Sequence, residues 1–309
     1  MNKARRPPRR QVDGVLLLDK PAGITSNTAL QKARWLFNAA KAGHTGTLDP
    51  MATGLLPLCF GEATKFAGEL LDADKSYRAT LKLGVTTDSA DADGAVLMTR
   101  PVSVTNALWR AATADFRGEI EQLPPMHSAL KRGGIPLYEF ARAGVVVDRQ
   151  PRRVTIHRFE TVSFAGDEAT IDVDCSKGTY IRTLAADIGE RLGCGAHLTA
   201  LRRTHIGELD LSAAVTLDQL ETMTLPERDL RLAPADALLG DLPRVTLEER
   251  GTARVLHGQG VRHDGEPGGR FRLYGADGAF LGVGLMSADG WLNPRRLVAA
   301  DQGQIQENP

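Results

Sequence analysis

Residues 75–84 read KSYRATLKLG, and the alternation inside this stretch sets the fold class. Tyr77, Ala79, Leu81 and Leu83 share one face of an extended chain, while Arg78, Thr80 and Lys82 take the other, because successive side chains of a strand point to opposite faces. The same period returns downstream, where Ala169, Ile171, Val173 and Cys175 alternate with Thr170, Asp172 and Asp174. VDGVLLL at 12–18 and residues 145–160 read as further strands, and LLPLCFG at 55–61 as a short buried strand or turn. Helices fall between them. Ser26 is placed to cap a helix over 27–38, with Leu30, Ala33 and Phe37 on one face, and Thr105 to cap one ending near 114. A short helix fits 137–143, and TYIRTLAADIGER predicts another over 179–191 after the Ser176-Lys177-Gly178 turn. Sheet and helix alternate without βαβ regularity, so the fold class is α+β.

Beyond Pro226, Pro234 and Pro243 the texture changes. FRLYG (271–275) and FLGVGLM (280–286), joined by Ala276-Asp277-Gly278, and RRLV (295–298) predict a small β domain with its core near 245–300. A chain of 309 residues accommodates one large domain and one small one. Lys plus Arg and Asp plus Glu both number 38, so the bulk charge gives no case for a polyanionic partner. The distribution does: residues 1–50 hold nine Lys or Arg against three aspartates, and MNKARRPPRR opens the chain as a basic tail able either to track phosphates or simply to solubilise. Three cysteines, Cys59, Cys175 and Cys194, argue against a disulfide framework and for a reducing cytoplasm. No apolar run is long enough for a signal peptide or a membrane span.

AGHTGTLDPMATGLLP (42–57) is the unusual loop. Pro50 biases Asp49 towards extended backbone, and Gly43, Gly46 and Gly54 permit tight turns or close backbone approach. The stretch reads either as a surface loop or as a rigid cradle presenting one carboxylate. Tyr77 reads as a core residue with its hydroxyl near a sheet edge. Arg182 lies in the first turn of a helix with a largely apolar surface; if buried it needs a carboxylate, and Asp49 is a possible partner. Arg191, Arg202 and Arg203 form a solvated face or meet phosphate. The aspartates of DSADADGAV (88–96) do not have calcium-loop spacing, and Cys194-Gly195-Ala196-His197 has no matching second metal pair. The P-loop, GxGxxG and HExxH patterns are absent.

GVLLLDKPAGITSN (14–27), AGHTGTLDPMATGLLP, KSYRATLKLG and CSKGTYIRTLAADIGERLGCGAHLTALRRT (175–204), in this order and followed by the β segment, resemble the TruB family of tRNA pseudouridine synthases over nearly the whole chain. The resemblance implies a catalytic domain with a mixed, bent sheet over 11–230, carrying a substrate-gripping insertion at about 122–150. It further implies a linker at 231–244 and a PUA-like RNA-binding domain at 245–300, between a flexible tail at 1–10 and another at 301–309. It implies isomerisation of uridine 55 in the T loop by base flipping, C1′–N1 cleavage and C5–C1′ bond formation, without cofactor or catalytic metal. Asp49 resembles the catalytic aspartate, Tyr77 the tyrosine that stacks on the base and takes part in proton transfer, and Arg182 the arginine paired with the aspartate. His44 matches the histidine that displaces the target nucleotide or fills its gap. Lys20, Tyr180 and Leu201 match residues that line the pocket or support its loops. His127, Lys131 and Arg132 in the gripping segment, and Arg202, are the remaining substrate-binding candidates. The implied partner is tRNA, through its T arm and acceptor side, with no membrane and no obligate protein partner.

One departure stands out. Met126-His127-Ser128 occupies a place where the family pattern leads one to expect Met-Tyr-Ser. Two other readings fit the composition: a related synthase acting on a different RNA, and a non-catalytic protein that binds or folds RNA.

Overall fold

The computed structural model describes residues 8–299. In chain order its elements begin with strand β1 (Gly14–Lys20), helix α1 (Ser26–Leu36), β2 (Ala42–His44), β3 (Thr53–Phe60), β4 (Lys75–Leu83), β5 (Val85–Thr87) and β6 (Val96–Thr99). Then come α2 (Asn106–Ala114), β7 (Gly118–Gln122), the hairpin strands β8 (Lys131–Arg132) and β9 (Ile135–Pro136), α3 (Leu137–Arg142), β10 (Arg152–Ala165), β11 (Glu168–Cys175), α4 (Ile181–Arg191) and β12 (Ala196–Ile206). After these lie β13 (Leu209–Asp210), β14 (Val215–Thr216), α5 (Leu217–Thr222), α6 (Leu225–Asp229) and β15 (Leu232–Ala233). The chain closes with β16 (Arg244–Thr246), α7 (Glu249–Leu256), β17 (Val261–Arg262), β18 (Arg270–Tyr274), β19 (Phe280–Met286) and β20 (Trp291–Leu297).

Two sheets organise the chain. The larger runs β14-β1-β3-β12-β4-β11-β10-β7 and is mixed: β3 and β12 are parallel, while β12, β4, β11, β10 and β7 pair antiparallel in turn. The smaller runs β16-β18-β19-β20-β17. The expected α+β class, a mixed sheet followed by a small β domain, is the one observed. On β4 the apolar face buries Ala79, Leu81 and Leu83, and helix α4 lays Ile181, Leu184, Ala185 and Ile188 into the same core.

Directly opposed residues in neighbouring strands point to the same face. Lys20 opposes Gly54, Gly54 opposes Arg203, Arg203 opposes Tyr77, and Tyr77 opposes Val173. A single row therefore crosses β1, β3, β12, β4 and β11. Gly54 is the gap in that row: a Cβ there would lie 2.2 Å from the Arg203 carbonyl oxygen, and its φ of +100° is one that side-chain-bearing residues rarely adopt. Gly54→Ala is expected to cost at least about 2 kcal/mol through overpacking and strain, read as a lowered urea midpoint relative to the parent protein; an unchanged midpoint would contradict the close approach of β3 to β12.

Several local expectations are corrected. The side-chain cap of α1 is Thr25, whose hydroxyl accepts from the Thr28 amide; the Ser26 hydroxyl instead pairs with the carbonyl (3.1 Å) and amide (2.8 Å) of Leu48. Residues 145–151 form no strand, and β10 starts after Pro151, which has no N–H for a ladder. The expected linker at 231–244 is packed: β15 pairs with β1, and Leu238 and Leu239 are buried in a cluster with Val15, Leu55, Phe66 and, from β19, Val283. Arg10, assigned to the flexible tail, bridges to Ala39 and sets its guanidinium 2.6 Å from Asp229. Residues 1–7 of that tail and the C-terminal tail at 301–309 lie outside the described residues.

Candidate active site

Asp49 stands in the turn between β2 and β3, and its backbone is held from three sides. Lys20 is fully buried and donates from Nζ to the carbonyls of Pro21 (2.8 Å), Ile24 (2.8 Å) and Pro50 (3.2 Å). The Gly23 amide donates to the same Pro50 carbonyl, and Ser26 grips Leu48. These contacts follow from sequence: Lys20-Pro21-Ala22-Gly23 ends β1 with a turn whose residues abut the 48–50 loop.

The Asp49 carboxylate is one-third exposed and faces an arginine that is 4% exposed. Arg182 Nε lies 2.9 Å from Oδ2, and Nη2 donates to Oδ1 at 3.2 Å, a two-pronged contact that fixes orientation as well as charge. Two further guanidinium protons are also used. Nη1 donates to the Ser89 carbonyl at 3.0 Å and Nη2 to the His127 carbonyl at 2.6 Å, while Nε lies 3.6 Å from Asp91 Oδ2. Arg182 therefore ties together helix α4, the Asp49 loop, the 88–94 loop and the segment after β7.

Asp91 is the site residue that the sequence did not disclose. Its loop reads as a simple acidic turn. In the structure Asp91 is buried, accepts from the Ser89 hydroxyl (2.5 Å) and the Asp93 amide (3.1 Å), and forms an isolated bridge with Leu198 of β12. Ala90 beside it has φ +60°, a positive value at a residue with a side chain. The only legible signal was the density of aspartates and a final Asp-Gly turn, which does not specify a destination.

Burial is the largest influence on Asp49 and raises its pKa above the ordinary carboxylate value; Arg182 opposes this, Asp91 adds to it and Lys20 opposes it. Burial pushes Lys20 down to about 8, with Asp49 working in the other direction. Tyr77 is half-buried at the centre of the sheet, and burial raises its hydroxyl pKa, countered by Arg203. His44 is half-buried and its pKa is lowered by burial and then by Arg203, so the ring is neutral at neutral pH. Its Nδ1 faces the Gly46 amide at 3.4 Å.

The other candidates divide. Tyr180 caps α4, and its main chain is clamped by Gln122, whose amide oxygen accepts from the Tyr180 N–H at 3.0 Å and whose nitrogen donates to its carbonyl at 3.3 Å. Leu201 is buried in the main core. His127 reaches the pair through its carbonyl, not its imidazole, so the departure from Met-Tyr-Ser leaves that contact intact. Arg202 points to the opposite face from Arg203, where it pairs with Asp19 at 2.6 Å. Lys131 and Arg132 sit on the exposed β8–β9 hairpin, and Arg132 donates to the Asp148 carbonyl. None of these three cations joins the Asp49 cluster. Of the other arginines read as a solvated or phosphate-binding face, Arg191 pairs with Asp115, and Arg203 is buried. No group of three or more His, Cys, Asp or Glu suited to a metal occurs among the described residues.

Comparison with known proteins places the chain in a class. Family descriptions match consecutive parts of the chain: the N-terminal domain of TruB family pseudouridylate synthase over 34–181, the tRNA pseudouridylate synthase B C-terminal domain over 182–240, and the C-terminal part of pseudouridine synthase II TruB over 243–298. The chain is thus an RNA pseudouridine synthase. Proteins named tRNA pseudouridine synthase B are similar to it along their length: one from Azoarcus sp. (strain BH72) is 58% identical, covering 97% of this chain and 99% of its own, and one from Burkholderia mallei (strain NCTC 10247) is 59% identical, covering 94% and 98%. The fold is shared with a chain of an H/ACA RNP bound to a substrate RNA containing 2′-deoxyuridine, at TM-score 0.70 and 23% identity, covering 93% of this chain and 85% of that one. This chain belongs to the TruB family of pseudouridylate synthases.

Proposed function

We propose that this protein isomerises uridine to pseudouridine at position 55 in the T loop of tRNA, with Asp49 as the catalytic carboxylate. The observation that carries the reading is the two-pronged Asp49–Arg182 pair, presented on a braced, partly open loop beside a half-buried tyrosine. An ionised carboxylate held by a guanidinium is a competent nucleophile. The target base leaves its stack, at a cost of a few kcal/mol supplied by binding, and packs on the Tyr77 ring. C1′–N1 breaks, C5–C1′ forms, and one proton passes overall from C5 to N1, so product and substrate are isomers. His44, kept neutral, fits the space from which the base departs without adding charge. The free, buried cysteines agree with a reducing cytoplasm, and no helix among the described residues is long and apolar enough to cross a membrane.

The decisive experiment is modification mapping on an unmodified tRNA transcript. Pseudouridine at position 55 alone is expected. Pseudouridine elsewhere would point to a different RNA substrate, and binding without isomerisation would leave a non-catalytic RNA-binding protein.

Tyr77→Phe keeps the ring and removes the hydroxyl. Its single-turnover rate is expected to fall by about 10²-fold or more, the range for loss of a proton-transfer group, while RNA affinity persists. A normal rate would leave the tyrosine a stacking role only.

The small sheet is assigned to the acceptor side of tRNA. On it Trp291 lies beneath both Arg262 (4.5 Å) and Arg254 (5.8 Å), and both cations are exposed. Because the small domain shares a core with the large one, neutralising these cations is a cleaner test than deleting the domain. Arg254→Gln with Arg262→Gln should weaken full tRNA and lower its log–log salt slope by roughly 1–2, yet leave a short T-arm hairpin unchanged. Equal loss on both RNAs would reject acceptor-side docking.

A further inference from the structure

Arg203 is 2% exposed, as deeply buried as Arg182, but it differs from Arg182 and Arg202 in forming no ion pair with a described carboxylate. A buried cation without a counter-ion is costly, because its lost hydration must be replaced from within the protein. Its compensation comes from neutral groups. Nε donates to the Leu55 carbonyl at 2.8 Å, and Nη2 makes a long contact of 3.5 Å to the Gly46 carbonyl. The Tyr77 hydroxyl is the third group beside the guanidinium, directly across the β12–β4 ladder. Leucine or methionine would fill the same space without the desolvation cost. The position is also prepared: Gly54, the residue without a side chain in the row, lets the Arg203 backbone lie against β3.

We propose that Arg203 is a positioning residue for the isomerisation: its buried guanidinium holds the Tyr77 hydroxyl oxygen and stabilises negative charge on it at the Asp49 pocket. This rests on the reading of Tyr77 as a proton-transfer group. A guanidinium has donors only, so the phenol oxygen accepts from it and turns its own proton away from Arg203. The hydroxyl is then oriented before substrate arrives, and the fixed cation offsets part of the rise in Tyr77 pKa that burial imposes. The other titratable groups facing this pair are Asp49 from the loop, Cys175 on β11, Lys75 on β4, His44 on β2 and Lys20 on β1. Cys175 is pushed up to about 12 and stays neutral at the pH of the assay.

The test places 3-fluorotyrosine at position 77 of the full-length protein, which brings the phenol into an accessible titration range and gives one fluorine signal. In Arg203→Gln the fluorine midpoint is expected to rise by about 1–3 pH units, the effect of losing an opposite charge at this range. The single-turnover rate of Arg203→Gln carrying the natural Tyr77 is expected to fall about 10²-fold, with tRNA affinity unchanged. Arg203→Lys retains the charge, so its midpoint should stay near the parent value and its rate should lie between the two. Thermal unfolding of each variant separates these readouts from loss of fold. An unmoved midpoint in folded Arg203→Gln overturns the proposal, as does a moved midpoint with an unchanged rate. If Tyr77→Phe itself turns over normally, the reading of Tyr77 fails, and that result is independent of where the fluorine titrates.

Discussion

Asp49→Asn is expected to lose at least about 10⁴-fold in single-turnover rate, the scale on which removing a covalent or charge-bearing catalytic group registers, while remaining folded and binding tRNA. The asparagine is nearly isosteric and keeps one oxygen facing Arg182, but it carries no charge. Arg182 is not orphaned by the change, because Asp91 lies 3.6 Å from its Nε and the Ser89 and His127 carbonyls still accept from it. The loop is equally insensitive, since its braces are backbone contacts of Lys20, Gly23 and Ser26. The measurement is tritium release from C5 of the target uridine with enzyme in excess, alongside filter binding and a melting curve. A rate within tenfold of the parent would remove Asp49 from the chemistry.

Arg182→Lys should damage both rate and stability, and a second change should separate the two effects. Lysine offers one charged point where the guanidinium offers a planar fork. It cannot span both Asp49 oxygens and also reach the carbonyls of Ser89 and His127. A rate loss of about 10²-fold or more is expected, on the scale of losing an oriented electrostatic contact. Removing the charge altogether with Arg182→Met leaves Asp91, with a side chain 6% exposed, as an unpaired buried carboxylate; breaking a buried pair from one side costs about 3–5 kcal/mol. Adding Asp91→Asn to Arg182→Met should then recover much of the lost stability in urea denaturation, because the stranded charge is gone. It should recover none of the rate, because Asp49 still has no guanidinium. If the double variant is no more stable than the single one, Asp91 and Arg182 are not coupled as the geometry requires.

Single-residue patterns carried much of the architecture. The alternation in 77–83 and 169–175 gives strands with the observed buried faces, since period two is a local property of the backbone. Thr105 caps α2 as its position predicts, and the 271–286 hairpin is where its turn residues put it. The glycines and Pro50 marked the Asp49 loop as special, and the helix carrying Arg182 was legible with its apolar surface. Local patterning failed at 145–151, where a valine run suggests a strand but no partner ladder exists and Val146 stands 81% exposed. Propensity cannot supply a neighbour.

What only the tertiary structure decided is who meets whom. Asp49 and Arg182 are 133 residues apart, and their pairing was a possibility in the sequence with no geometry behind it. Asp91 was not legible as a member of the site, hidden in an acidic turn, and Arg203 was legible only as part of a solvated or phosphate-binding face, beside an arginine, Arg202, that faces the other way. Strand register makes that distinction: shifting β12 by one residue against β4 would exchange Arg202 and Arg203 between the two faces. Register is set collectively by the ladders of β1, β3, β12, β4 and β11, with Gly54 admitting the close approach of β3 to β12. A side chain's identity is local, but the burial and charges that give it a chemical role belong to neighbours brought in from distant parts of the chain.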